Sequence, residues 1–136
     1  METDIRPWGH YEVLLDEPNY KVKRITVKPK QQLSYQYHVH RQESWTGVSG
    51  EAIAVVDRHE YPLRIGATVH IPYHMHHTIH NPSETHEFVF IEVQTGTYFG
   101  EDDIVRISDQ YGRVEDSESL SDLDVPAVDP ETGEAK

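Results

Sequence analysis

The chain has no cysteine in 136 residues. That excludes disulfide scaffolds, cysteine-ligated zinc fingers, iron–sulfur clusters and any thiol nucleophile. Basic residues are scarce, with 12 Lys and Arg against 24 Asp and Glu and a formal net charge of −12. No nucleic-acid partner is expected, because neutralising phosphates takes clustered Lys and Arg. Long apolar runs are missing too. No stretch approaches the roughly 20 residues that span a bilayer, and the Met1 end is polar rather than signal-like, so the reading is a cytosolic protein without a membrane partner. One domain of about 100–150 residues fills the length. What the chain has in surplus is histidine, with 10 residues.

The acidic charge is unevenly placed. Residues 115–136 hold eight of the acids and one base, a net of −7, with Pro126, Pro130 and Gly133 and few apolar side chains. Such a segment cannot bury enough surface to offset its ordering entropy, which predicts a disordered tail over 115–136 and a folded domain over 1–114. The folded part reads as all-β. Nine short runs rich in β-branched and aromatic residues (HYEVLL, YKVKRITV, LSYQYHVH, WTGVSG, AIAVVD, YPLRIG, TVHIP, TIHN, EFVFIEV) are separated by turn residues. No stretch of about 11 residues carries a helical apolar face. A small β-sandwich or barrel is expected.

The run LSYQYHVH carries most of the chemical information. Read as one strand, it places Ser34, Gln36, His38 and His40 on one face and Leu33, Tyr35, Tyr37 and Val39 on the other. His38 and His40 would then stand about 6.5–7 Å apart, close enough to share an ion. Glu43 and Gly50 follow. A second cluster has the order G-x5-P-x-H-x2-H-x3-N over Gly66, Pro72, His74, His77 and Asn81. In the run EFVFIEV, Glu92 shares parity with Phe88 and Phe90, so an acid there would sit among apolar neighbours that raise its pKa.

These two stretches resemble the paired motifs of the cupin superfamily. The glycine of the first motif is replaced in the Lys30–Gln31–Gln32 region, and that of the second by His74. The resemblance implies a single cupin barrel, a double-stranded β-helix, in which His38, His40 and His77 converge on a divalent metal, with Glu43 as a further ligand. Zinc is the first choice, with manganese, iron, nickel and cobalt compatible, since the ligand types alone do not pick the ion. Further blocks extend the likeness: Arg6–Pro7–Trp8–Gly9 with Tyr11, YKVKRITVKP, HVHRQESW, VSGEA, IEVQTGTYFGEDDIVR and DQYGR. Over about residues 5–114 the chain is similar to the cupin domain of type II mannose-6-phosphate isomerase, usually the C-terminal part of a bifunctional mannose-1-phosphate guanylyltransferase. No Gly-rich nucleotide-binding loop is present in this sequence.

The resemblance implies interconversion of mannose 6-phosphate and fructose 6-phosphate for GDP-mannose and polysaccharide synthesis. It implies catalytic roles for Glu43, Glu92 and Arg106, and substrate binding by Arg6, Arg106 and Arg113. A phosphosugar is the expected small-molecule partner, with a separate guanylyltransferase as a further one. A homodimer is expected because a second copy readily covers an exposed sheet edge and the N-terminal arm. Alternatives are a non-catalytic sugar-phosphate-binding cupin, an oxygenase and a sugar epimerase. One departure stands out. The family pattern H-x-H-R-x-E-H-W reads here with Ser44 in place of its third His, which predicts a metal shell short of one nitrogen.

Overall fold

A computed structural model describes residues 2–108. The acidic segment 115–136 and Arg113 lie outside the described residues. All nine runs form strands: β2 (Gly9–Asp16), β3 (Tyr20–Val27), β4 (Tyr35–Tyr37), β5 (Arg41–Ser49), β6 (Ala52–Val56), β7 (His59–Leu63), β8 (Thr68–Ile71), β9 (His77–His80) and β10 (Phe88–Gly96). Two further strands have no apolar alternation to announce them. β1 (Glu2–Arg6) exists because the Pro7–Trp8 turn folds it back onto β2, pairing Arg6 with Gly9. β11 (Val105–Ser108) pairs with the short β4. A single 3-10 turn, Glu101–Asp103, precedes it. Among the described residues no helix is long and apolar enough to cross a membrane.

The strands form two antiparallel sheets, in the orders β1-β2-β3-β10-β5-β8 and β11-β4-β9-β6-β7. Both contribute to one apolar core. Val27, Trp45, Phe88 and Phe90 come from the first sheet, and Ala54, Leu63 and Ile79 from the second, each at 1% exposure or less. Fully burying a Phe or Leu contributes roughly 1.5–3 kcal/mol, so this cluster carries much of the stability. Pro62 lies inside β7, which is tolerated because β7 is an edge strand.

The long strand expected over residues 33–40 does not form. β4 ends at Tyr37, and residues 39 and 40 make a bend before β5 starts at Arg41. Parity therefore fails where it mattered. His38 is buried at 3% exposure, whereas Val39 and His40 are both exposed. Asp103 holds the bend, its carboxylate accepting the backbone N–H groups of Val39 (3.2 Å) and His40 (2.9 Å).

His74, in place of the second motif's glycine, falls on left-handed backbone, and so does Lys30, two residues before the position of the first motif's glycine. Lys30 has φ 63° and His74 has φ 65°, a region where a side chain crowds the following carbonyl and glycine does not. Here the chain accepts the strain, and at His74 an N–H donated to His38 O (2.8 Å) ties the second motif to the first. Lys30 has only a 3.9 Å ion pair to Glu84 to lose. Lys30→Gly is therefore expected to raise the free energy of unfolding by about 1 kcal/mol in urea titration. A decrease would show that the side chain matters more than the backbone strain.

Candidate functional site

Inward-facing positions of β3, β5, β9 and β10 line a cleft of about 570 Å³ that opens to solvent. At its base His38, Glu43 and His77 each offer a ligand atom, all within 4.8 Å of one another. His38 Nε2 lies 3.1 Å from Glu43 Oε2, and the two imidazole rings are 4.9 Å apart. Backbone carbonyls set both rings. His38 Nδ1 lies 3.0 Å from Asp103 O, and His77 Nδ1 lies 2.8 Å from Met75 O. With Nδ1 donating in each case, both Nε2 lone pairs are left for a ligand, the outer-sphere arrangement typical of metal-binding histidines. Burial, and next the neighbouring His38, push the His77 pKa down to about 3, so its ring is neutral across the physiological range.

Glu43 is 2% exposed and fully engaged. Its Oε2 accepts from Arg41 Nε (2.9 Å) and its Oε1 from Trp45 Nε1 (3.0 Å). Burial alone would raise its pKa, but His38, Arg41 and His77 outweigh that and hold the carboxyl well below the usual range. Glu92 lies beside it on β10, and the Trp45 N–H is shared with its Oε1 at 3.2 Å. Burial, reinforced by the Glu43 charge, pushes Glu92 up to about 7. Two carboxyls that share one donor thus sit in different protonation regimes.

The structure brings together at the cleft His38, Glu43, His77, Glu92, Arg6 and Arg106. It does not bring His40. That side chain is 56% exposed and turned to Asp103 Oδ1 at 3.0 Å, because the strand that would have aimed it inward ends three residues earlier. The account of Ser44 also changes. Glu43 and Trp45 occupy the inward positions of β5, so Ser44 faces outward. Its Oγ lies 3.3 Å from His70 Nδ1, on the paired strand β8. The serine therefore takes no nitrogen away from the buried cluster.

Lys23, Arg41, Trp45, Glu101 and Asp103 are parts of this site to which the sequence reading gave no role. Strand parity signals three of them. Lys23 alternates with the buried Ile25 and Val27, and Arg41 and Trp45 alternate with Glu43. Glu101 and Asp103 belong to an irregular segment with no periodicity to read. Asp103 is the more consequential, since it fixes the bend carrying His38. Burial would raise its pKa, but the donors of His40 and Val39 outweigh burial and lower it. A depressed folded-state pKa means the stabilisation is present above the unfolded value near 3.8 and is lost as pH falls through the lower folded value. Asp103→Ala should cost about 1–3 kcal/mol at pH 7. The gap from the parent should close in acid-side urea titrations, and a gap independent of pH would exclude this role for the carboxylate.

Comparison with known proteins agrees with this architecture. The family described as Mannose-6-phosphate isomerase C-terminal matches residues 1–109. A mannose-1-phosphate guanylyltransferase of Escherichia coli K12 is 43% identical over 109 residues, covering 80% of this chain and 23% of that protein. The xanthan biosynthesis protein XanB of Xanthomonas campestris is 44% identical over 108 residues, with 79% and 23% covered. The chain thus spans about a quarter of the length of these relatives. Among solved structures, a Klebsiella pneumoniae protein with a double-stranded β-helix domain superposes with TM-score 0.59 at 25% identity, covering 65% of this chain and 72% of that one. The capsular polysaccharide assembling protein CapF of Staphylococcus aureus superposes with TM-score 0.68 at 20% identity, covering 76% and 31%, a likeness of fold alone. The chain is a cupin domain that belongs to the mannose-6-phosphate isomerase C-terminal family, homologous to the C-terminal part of bifunctional mannose-1-phosphate guanylyltransferases.

Proposed function

We propose that this domain is a metal-dependent aldose–ketose isomerase acting on mannose 6-phosphate and fructose 6-phosphate, in the supply of GDP-mannose for polysaccharide synthesis. The observation that carries this reading is the pairing of a buried two-histidine, one-carboxylate cluster with a second carboxyl poised near neutrality. The donor set fits a divalent ion such as zinc, manganese or iron. Held by His38, His77 and Glu43, such an ion would supply Lewis acidity to the sugar oxygens.

The chain's own residues account for the remaining steps. Glu92, with its carboxyl near 7, takes the proton from C2 of the aldose to give an enediol and returns it to C1, while the proton of the C2 hydroxyl passes to the C1 oxygen, leaving the C2 carbonyl of the ketose. The shared Trp45 N–H fixes Glu92 relative to Glu43. Arg41 neutralises Glu43 and keeps it out of the proton transfer. Arg6 and Arg106, both lining the cleft, offer guanidinium groups to the phosphate. Ile5, 75% exposed on the edge strand β1, supports a homodimer as the working form. The same reading puts the domain in the cytosol beside a guanylyltransferase. Ser44, turned towards His70 on β8, gives no support to a non-catalytic reading.

A coupled assay of fructose 6-phosphate formation, run with added zinc, manganese, iron, nickel or cobalt, tests the proposal. Turnover is expected with at least one ion, falling about 10–100-fold or more in His77→Ala in step with bound metal by elemental analysis. Ser44→His should leave metal content and rate within about twofold, as surface substitutions away from a site do. A metal-loaded protein with no turnover would overturn the isomerase reading.

A further inference from the structure

The cleft contains a cation the isomerase reading leaves unused. Lys23 sits in the middle of β3 at 3% exposure, with its ammonium 4.0 Å over the Tyr11 ring. Its partner across the ladder is Glu92. Its close ion pair is with Glu101, at 2.7 Å between Nζ and Oε2. That partner is unusual for so buried a lysine. Of the three glutamates lining the cleft, Glu43 and Glu92 stand on strands at 2% and 5% exposure. Glu101 comes from the 3-10 turn at the rim, and its side chain is 36% exposed. Arg6 and Arg41 also surround it. Both act on the Glu101 charge, and Arg41 Nη1 reaches the adjoining Gly100 O at 3.4 Å.

An oxyanion at the mouth of a cleft, held by a buried lysine and flanked by two guanidiniums, occupies a place built for an anionic group. A tetrahedral phosphate presents the same kind of acceptor to an ammonium, with more charge. We propose that Lys23, flanked by Arg6 and Arg41, is the subsite for the phosphate of the substrate, and that Glu101 occupies it as an internal anion which the phosphate displaces. The inference deepens the isomerase reading, because it names where the phosphosugar anchors. It accounts for the burial of Lys23 beside the acid–base carboxyl, with the phosphate end of the sugar held one strand away from Glu92. It also gives Glu101 a role as a competitor that sets affinity and selects against neutral sugars.

Calorimetric titration of the full chain with inorganic phosphate and with mannose 6-phosphate tests this without requiring turnover. Glu101→Gln removes the competing charge and should tighten phosphate binding by about three- to tenfold, with a larger phosphate-induced rise in Tm than the parent shows. Lys23→Met keeps the contact with Tyr11 and should weaken both ligands by about tenfold or more, while Lys23→Arg should restore most of the loss. If Lys23→Met does not fold, the Glu101→Gln result decides alone. Unchanged or weaker phosphate binding in Glu101→Gln would overturn the proposal, as would undiminished binding in a folded Lys23→Met. Phosphate binding that responds as expected in a metal-loaded protein without isomerase turnover would overturn the isomerase reading and leave this subsite standing.

Discussion

A carboxylate at 2% exposure inside an apolar barrel must be partnered or protonated, and the partnering of Glu43 organises the rest of the site. Charge taken out of water costs several kcal/mol unless hydrogen bonds and opposite charge replace the lost hydration. Glu43 obtains them from Arg41 two residues before it and Trp45 two residues after it. Three of the four buried alternate positions of β5, Arg41, Glu43 and Trp45, are thus committed to a single charge. His38 completes the set from the bend before β5. Placing such a cluster between strands costs stability that the surrounding apolar cluster of Trp45, Phe88, Phe90 and Ile79 has to offset.

The pairing register carries this constraint across the first sheet. Glu92 faces Trp45 across the β5–β10 ladder, and Lys23 faces Glu92 across β3–β10. One indole N–H therefore reaches the Glu92 carboxyl from one neighbouring strand, and the Lys23 charge acts on it at longer range from the other. Gln36 on β4 pairs with His77 on β9, bringing the second histidine in from the other sheet. Asn81, fully buried, closes this end. Its amide donates to Val27 O, Lys28 O and His86 O, stitching the loop after β9 to the end of β3. The asparagine of the second motif is a structural tie rather than a ligand.

What could be read from the sequence follows from the range of each interaction. The nine long runs were legible because alternation of apolar side chains is local, and so was the inward direction of Glu92 between Phe90 and Gln94. The same logic misled at His40 and Ser44 for two different reasons. At His40 the alternation stops, because Asp103, more than sixty residues away in sequence, captures the backbone of residues 39 and 40. No periodicity announces a contact of that separation. At Ser44 the strand is regular, and parity alone places it opposite Glu43 and Trp45. The motif comparison drew attention to the residue type before its face was considered. Lys23 was legible by the same parity, and only the expectation that lysines are exposed hid it.

The two carboxyls of the site show why such a cluster needs its cations unequally distributed. Arg41 lies against Glu43 and holds it ionised, well below its usual range, as the metal ligand of the proposed function would need to be. Glu92 receives only a shared indole N–H, an amide from Gln94 and the more distant charge of Lys23, and burial beside Glu43 pushes it to about 7. A group that must both take and return a proton works best near the ambient pH, whereas a ligand works best far from its own. Exchanging the two environments would spoil both. If Arg41 stood beside Glu92 instead, the base would be held ionised and too weak, and Glu43 would share its place with a proton. The separation of roles thus depends on where along the inward face of β5 the arginine stands, beside Glu43 rather than opposite Glu92.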